Sequence, residues 1–482
     1  MSTQEDRLDP GLRKLLGVVL LGGLMGLVDS TIVNVGMDTL AGRFDSSLAT
    51  VGWVATGYLL AVTAAIPLTA WAVDRFGARR MWLVGLAVFT GFSLASGLAW
   101  DVPSLITFRV LQGFGGGMLD PIMLTLLARA AGQARVGRVM GLMGIVIPLG
   151  PVLGPILGGL IIDGLDWRWM FLINVPIGVL AFLLSLPVVP TDPVERGGAR
   201  LDILGLALLT PGFGALVFAL SRASEGTGIG STPVVVALAL GVLLLLGYGA
   251  HALRAGRDAL IDLALFRSRS FAAAVTVMGL TGVMLFSSLF LVPLYYQLAR
   301  DFDVLRAGLL LAPLGVGSFV GMPIAGRLSD KVGTRALVPA GAAVIAVSTL
   351  VLTQVDAGSS LVLLAACALL TGLGLGFVGA PTMGSLYRTL PAESISQGTS
   401  ALYIVNQLGA SAGIAVSAML LQGGASGAKP TAEDFHGPFW WVFAAALGVL
   451  LSGLLLPGKP PAAPTPSAAA AEPDGQPASE VV

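Results

Sequence analysis

The stretches Asp74-Arg75-Phe76-Gly77-Ala78-Arg79 and Asp330-Lys331-Val332-Gly333-Thr334-Arg335 decide how this chain is built. Each closes one long apolar run and opens another, and both follow the pattern D-[RK]-x-G-x-R. They stand 256 residues apart (74 to 330), room for about eight membrane crossings with their loops. An even number of crossings returns the chain to the same face of a bilayer. A motif repeated on one face is what two parallel-related halves should leave in a sequence.

The composition agrees. Of 482 residues 55% are hydrophobic and only 11% charged, less than half the roughly 25% usual in soluble domains. That is too little charge to wet the surface of a soluble protein. It excludes an ordinary soluble enzyme, a nucleic-acid binder and a disordered scaffold, and points to a polytopic membrane protein in contact with the lipid bilayer. Net charge is zero, so no polyanionic partner is indicated. One cysteine, Cys367, excludes an internal disulfide, and His251 and His436 lie far apart. No metal site and no cofactor is expected.

Fourteen apolar spans are read at 13–37, 48–73, 79–100, 103–127, 137–162, 168–189, 202–221, 231–253, 270–298, 304–327, 334–355, 359–384, 395–422 and 438–457. The first is too long for a cleaved leader and has no small-residue cleavage site. With the N-terminus inside, 20 Lys and Arg residues fall on inner segments, 6 on outer ones, and Arg109 lies within a span. That asymmetry fits the positive-inside rule with both termini cytoplasmic. The expected organisation is a cytoplasmic tail (1–12), a six-helix half (13–189), a linker with two extra membrane helices (190–269), a second six-helix half (270–457) and a disordered cytoplasmic tail rich in Pro and Ala (458–482). The extra helices carry little chemistry beyond Asp202 and Arg254 at their ends.

Five motifs, in order along the chain, resemble one family. The first span carries Asp29-Ser30-Thr31-Ile32-Val33-Asn34-Val35. The loop after span 2 reads Ala70…Asp74-Arg75-Phe76-Gly77-Ala78-Arg79-Arg80, with Ala70 and Ala78 departing from the usual Gly and basic residue. Span 4 holds Arg109, Gln112 and Gly113. Span 5 holds Gly141, Gly150, Gly154, Pro155 and Gly158. Trp167-Arg168-Trp169, Phe171, Asn174, Pro176 and Gly178 follow at span 6. Together they resemble the fourteen-helix drug:proton antiporters of the major facilitator superfamily, the group of EmrB and QacA. The resemblance covers about residues 10–457 and implies an all-α major facilitator fold of two six-helix halves plus two central helices.

The resemblance and the residues then assign expected roles. Asp29 lies fifteen residues beyond Lys14, at about 1.5 Å each, near or past the bilayer midplane. An ionised Asp there costs about 2.5–3.5 kcal/mol on insertion scales, so it defaults to a functional hypothesis. It is expected to carry protons or oppose a cationic compound; a structural ion pair is the plainer alternative. Asp120 is the second buried acid and, with Asp29 and Arg109, a candidate proton-coupling residue. Arg109, Gly113, Gly116 and Asp120 form one stripe on a helix, with the two charges about 16 Å apart along the axis. Arg109 resembles the family's span-4 arginine, implicated in proton coupling; a static charge satisfied by carbonyls is the alternative.

Gly150, Gly154 and Gly158 recur every four residues and make one smooth helix face. The resemblance reads this as a packing seam between the halves; simple small-residue packing is the alternative. Asp74, Arg75, Gly77, Arg79 and Arg80 are expected to latch the outward-facing state at the inner surface, with Asp330, Lys331, Gly333 and Arg335 as pseudo-symmetric partners. Topology alone would also place those bases inside. Candidate substrate-cavity residues are Asn34, Gln112, Met284, Phe286, Phe290, Tyr403, Asn406 and Gln407. Met and aromatic side chains at helical spacing are more often plain packing, but adaptable surfaces suit a promiscuous site.

The resulting expectation is a proton-coupled exporter in the cell membrane. It would expel amphipathic small molecules such as antibiotics, with cationic compounds a candidate class, by alternating access. The rivals are a dedicated exporter of one metabolite or lipid, an uptake symporter and, further off, a membrane enzyme or sensor. No convergent catalytic cluster and no soluble output domain is readable, and no Walker A pattern implies direct use of ATP. An accessory adaptor protein stays open.

Overall fold

The computed structural model describes residues 9–143, 149–191, 201–223, 230–391, 394–424 and 430–458. Most of both expected tails, 1–8 and 459–482, lies outside the described residues. In the first half α1 (Pro10–Val35) is followed by the short α2 (Met37–Arg43) and α3 (Leu48–Val51). Then come α4 (Trp53–Phe76), α5 (Ala78–Gly97), α6 (Val102–Met143), α7 (Leu149–Gly164), α8 (Trp169–Leu172) and α9 (Asn174–Val188). Two helices stand between the halves, α10 (Ile203–Arg222) and α11 (Thr232–Ala255). The second half contains α12 (Arg269–Leu298), α13 (Val304–Leu309), α14 (Ala312–Val332), α15 (Thr334–Leu352), α16 (Leu361–Thr389), α17 (Ile395–Gly424) and α18 (His436–Gly453).

Among the described residues, thirteen helices are long and apolar enough to cross a membrane. The span expected at 137–162 is the one not counted. Its first part ends α6, its second part is α7, and residues 144–148 between them lie outside the described residues. The sequence reading also ends span 4 at 127, whereas helix continues on both sides of Gly132, which takes φ 64° and ψ 174°. The polar residues after Leu127 signal the end of the apolar layer, not the end of the helix. Span 2 starts later than expected, at Trp53, because a separate short helix, α3, precedes Gly52.

The repeated motif has one backbone form in both halves. Gly77 (φ 87°) ends α4, and its amide N–H donates to the Val73 carbonyl; Gly333 (φ 92°) ends α14 and donates to Ser329. An L-side chain disfavours this region of φ, so glycine is the residue that lets each chain reverse in a single step. Close helix contact is repeated as well. A Cβ on Gly113 of α6 would strike the Tyr58 carbonyl of α4, and one on Gly372 of α16 would strike the Leu314 carbonyl. Small residues are what bring membrane helices this near.

The outward surface is apolar. Leu243, Leu246 and Leu253 of α11 are each about two-thirds exposed or more, as suits a bilayer-facing helix. α10 leans on α4 and α17, one helix from each half, with Phe218 stacked on Trp53 at 6.2 Å. The linker helices carry more polar structure than expected. Asp202 accepts from the Gly205 amide (2.7 Å), the Leu260 amide (3.3 Å) and His251 Nε2 (2.8 Å).

Candidate functional site

Three helices bring one charged cluster into the middle of the first half. The glycines of α6 press it against α4, which lays the Tyr58 ring under Arg109, with the guanidinium carbon 4.0 Å from the ring centre. Arg109 Nε donates to the Val54 carbonyl at 3.3 Å. Its NH1 reaches Asp29 Oδ2 on α1 at 2.5 Å and Gln112 Oε1 at 3.0 Å. The other carboxylate oxygen of Asp29 accepts from Gln112 Nε2 (3.0 Å) and from Asn174 Nδ2 on α9 (2.7 Å). Asn174 also donates to Ser93 Oγ at 3.1 Å, and Ser93 donates to the Phe171 carbonyl at 2.9 Å. Asp29 is 0% exposed and Arg109 1%.

A buried charge pair of this kind is tolerated only when its remaining donors and acceptors are met. Here both carboxylate oxygens and both amides have partners. The cluster can therefore hold one charge pair without water, and any proton gained by Asp29 would disturb contacts that tie α1 to α6 and α9 at once.

Asp29 and Arg109 are thus in direct contact, a pairing that the sequence does not assign to either residue. Gln112 is corrected: it belongs to this sealed cluster and lines no open cavity. A helical wheel shows only that Gln112 sits near Arg109 on α6, not which helix it faces. Asn174, Ser93 and Tyr58 were missed as site residues. Asn174 belongs to the Trp167–Gly178 motif, but nothing in the sequence places it beside Asp29.

Asp120 stands apart. It is partly exposed, and among the described residues it makes no ion pair or side-chain hydrogen bond. Its Oδ1 lies 3.9 Å from where a Cβ on Gly23 of α1 would stand. Tyr58 and Tyr403 of α17 stand near enough to feel its charge. Phe286, Phe290, Tyr403, Asn406 and Gln407 are partly exposed. Asn406 Nδ2 donates to the Met278 carbonyl at 2.8 Å. Met284 is corrected: at 0% exposure it is core packing. Its thioether fills space, as flexible side chains in cores do.

The glycine stripe has a different partner from the one expected. Cβ atoms on Gly150, Gly154 and Gly158 would meet Leu27, Thr31 and Ile32 of α1, in the same half, and Thr31 Oγ1 donates to the Gly150 carbonyl at 3.1 Å. Gly141 does face the other half: its Cβ would stand 2.6 Å from the Met322 carbonyl of α14. Four-residue spacing specifies a close approach but not which helix approaches. The side chains of Asn34, Pro155 and Asp330 lie outside the described residues.

At the arginine-rich end of the bundle, Asp74 pairs with Arg129 of α6 at 3.7 Å, and Arg129 NH2 donates to Ser396 Oγ of α17 at 3.1 Å. This joins the halves, as does Ser400 Oγ donating to the Ile66 carbonyl at 3.3 Å. Arg79 NH2 donates to the Leu186 carbonyl at 2.5 Å, while Arg75 and Arg80 are exposed. In the second half Lys331 and Arg335 are exposed, and Arg388 donates to Ser329 Oγ (3.1 Å) and Thr334 Oγ1 (3.4 Å). Arg129 and Arg388 are the arginines the sequence reading counted only for topology. A cavity of about 20 Å³ lies inside the second half, lined among others by Ser288, Tyr295, Tyr296, Leu314, Ala368 and Thr371.

Comparison with known proteins agrees with this architecture. The profile of the Major Facilitator Superfamily matches residues 19–414 and 314–480. The chain is 37% identical to the "Multidrug resistance protein B homolog" of Mycobacterium tuberculosis over 86% of this chain and 77% of that protein. It is 30% identical to "Lincomycin resistance protein LmrB" of Listeria monocytogenes, covering 90% and 92%. It is 34% identical to "Multidrug export protein EmrB" of Escherichia coli K12, covering 66% and 62%. Among solved structures, the proton:xylose symporter XylE bound to 6-bromo-6-deoxy-D-glucose shares the fold at a TM-score of 0.63 and 17% identity, over 93% of this chain and 96% of that one. The human organic anion transporter MFSD10 does so at 0.59 and 17%, over 91% and 100%. The chain is a polytopic membrane protein that belongs to the Major Facilitator Superfamily.

Proposed function

We propose that this chain is a proton-coupled exporter of amphipathic small molecules in the cell membrane, both termini cytoplasmic, working by alternating access. The observation that carries the reading is the Asp29–Arg109 pair, a sealed and fully partnered charge cluster within membrane-spanning helices. Intramembrane ionisable residues mark proton relays and substrate paths. The names of the relatives, which include multidrug resistance and multidrug export, support export over uptake.

In this reading a proton entering from outside neutralises Asp29. Arg109, Gln112 and Asn174 then lose the carboxylate they all donate to, and Arg109 becomes a buried cation without its counter-charge. That loss favours a rearrangement of α1, α6 and α9. The contacts from Arg129 and Ser400 across the arginine-rich end support an arrangement closed towards the cytoplasm. Arg129–Asp74 serves as its latch, Arg388 with the Ser329–Arg335 segment as the counterpart in the second half, and Gly141 against α14 as the sliding contact between the halves. The return step brings the site to the cytoplasmic side, where an arriving substrate drives the proton off.

The test is proton movement in inside-out vesicles, followed with a pH-sensitive dye while a panel of cationic and neutral amphiphiles is added. Several unrelated compounds should collapse the gradient in wild type and none in Asp29→Asn at equal membrane insertion. Full coupling in Asp29→Asn would reject Asp29 as the proton carrier. A response to a single compound would favour a dedicated exporter.

A further inference from the structure

The polar contacts of the two linker helices gather at one end and lead into the second half. Asp202, just before α10, accepts from the Gly205 amide of that helix, from His251 of α11 and from the Leu260 amide. Its side chain is only 7% exposed. Tyr248 of α11 holds the next residue from both sides. Its hydroxyl accepts from the Ile261 amide at 2.8 Å and donates to the Ile261 carbonyl at 3.1 Å. The amide after that, of Asp262, donates to Gln397 Oε1 of α17 at 3.2 Å. Three successive amides thus tie the connection after α11 to Asp202, to α11 and to the second half in turn.

Gln397 directly follows Ser396, the residue that receives Arg129 from the first half. The start of α17 is therefore held on adjacent residues, by the contact between the halves and by the linker. Within this linkage His251 is the group whose residue type changes charge near neutrality. The other titratable and charged groups on the elements packed around it are Asp202 ahead of α10, Tyr248 and Arg254 on α11, and Asp258, Asp262 and Arg267 after it. Arg254, Asp258 and Arg267 are exposed, and the Asp262 carboxylate accepts from the Ala264 amide. Among the described residues only Asp202 pairs with His251, at 2.8 Å. With a protonated ring that contact is a charge-assisted bond; with a neutral ring it is an ordinary hydrogen bond at most. The His251 side chain is 21% exposed, open enough to exchange protons with water at that face.

We infer that His251 and Asp202 form a clasp that tightens with cytoplasmic acid, fixing residues 260–262 and, through Gln397, holding the cytoplasmic end of α17 against opening. The inference rests on the export reading for which face is cytoplasmic and for its role in transport; the clasp itself is a property of the fold. Proton-coupled export lets protons into the cell. A clasp that tightens as the interior acidifies brakes the inflow that caused the acid.

Hydrogen–deuterium exchange of the purified full chain in nanodiscs, corrected for intrinsic rates, reads the clasp without any substrate. In wild type, peptides covering 259–265 and the first turns of α17 should exchange about threefold to tenfold more slowly at about pH 6 than at about pH 8. In His251→Gln, which keeps a neutral donor, and in Asp202→Asn, the rates at the two pH values should agree. Peptides from α5 should be unchanged throughout, which shows that the variants are folded. Equal protection of wild type at both pH values marks a purely structural contact and rejects the clasp. A pH dependence confined to 259–265 and absent from α17 rejects the hold on the second half. In inside-out vesicles, where the bath is the cytoplasmic side, wild type should lose at least about threefold more of its substrate-driven proton movement than His251→Gln on going from about pH 8 to about pH 6. Equal losses reject the brake. If no compound moves protons in either protein, the export reading fails, and the clasp stands or falls on exchange alone.

Discussion

The two halves share one helical scaffold, yet among the described residues only the first buries charge. Their scaffolds match closely. Gly113 and Gly372 (offset 259) press on the equivalent carbonyls of Tyr58 and Leu314 (offset 256). Gly85 with Gly115, and Gly341 with Gly374, meet each other's carbonyls at the same place in each half. At these offsets Arg109 corresponds to Ala368, Gln112 to Thr371 and Tyr58 to Leu314. Ala368, Thr371 and Leu314 line the small cavity of the second half. The cavity lies where the first half keeps its arginine. Among the described residues, the fully buried polar side chains of the second half are serines and threonines, such as Ser348 against Thr371 at 2.7 Å. The glycine contacts set the shape of a six-helix half; what fills the resulting space is free to differ.

Four measurements on thermally unfolded, detergent-solubilised protein would break or sharpen this contrast. The largest effect is expected from Arg109→Ala, which strands Asp29 without its counter-charge and should cost about 3–5 kcal/mol. The double variant Asp29→Leu with Arg109→Met should lose clearly less, while remaining inactive in proton movement; a double loss equal to the sum of the two single losses would mean that the two residues do not interact energetically. Next, Asn174→Ala removes one donor to a carboxylate and should cost roughly 1.5–3 kcal/mol. Third, Gly113→Leu and Gly372→Leu should destabilise alike, each by about 1–3 kcal/mol or more from overpacking. Unequal costs would show that the scaffolds are less alike than their contacts suggest. Smallest, Ala368→Val puts methyl groups against the cavity, and gain from burial should roughly offset lost helix propensity, leaving a change within about 1 kcal/mol.

The same contrast explains what the sequence made legible. Long apolar runs and the repeated D-[RK]-x-G-x-R disclosed the helices and their duplication, because both are local in the chain. Asp29 and Arg109 stood out as lone charges in apolar runs. Ser93 and Tyr58 did not, since one hydroxyl in a membrane helix is ordinary until its neighbours are known. Gln112 and Met284 were assigned to a cavity by helix and residue type, and both proved buried. For Gly150, Gly154 and Gly158, four-residue spacing discloses the need for a close neighbour; only the packing shows that α1 meets it. Arg129 and Arg388 were read as topology signals because their partners, Asp74, Ser396, Ser329 and Thr334, come from other helices.

The reversals at Gly77 and Gly333 bear on how such a chain is made. A single residue joins α4 to α5, and another joins α14 to α15. So short a tether cannot let the first helix of a pair settle across the bilayer while the second waits in water. Each pair is therefore expected to enter the membrane as a ready-made hairpin during synthesis, with the arginines beside the turn kept on the side from which it entered.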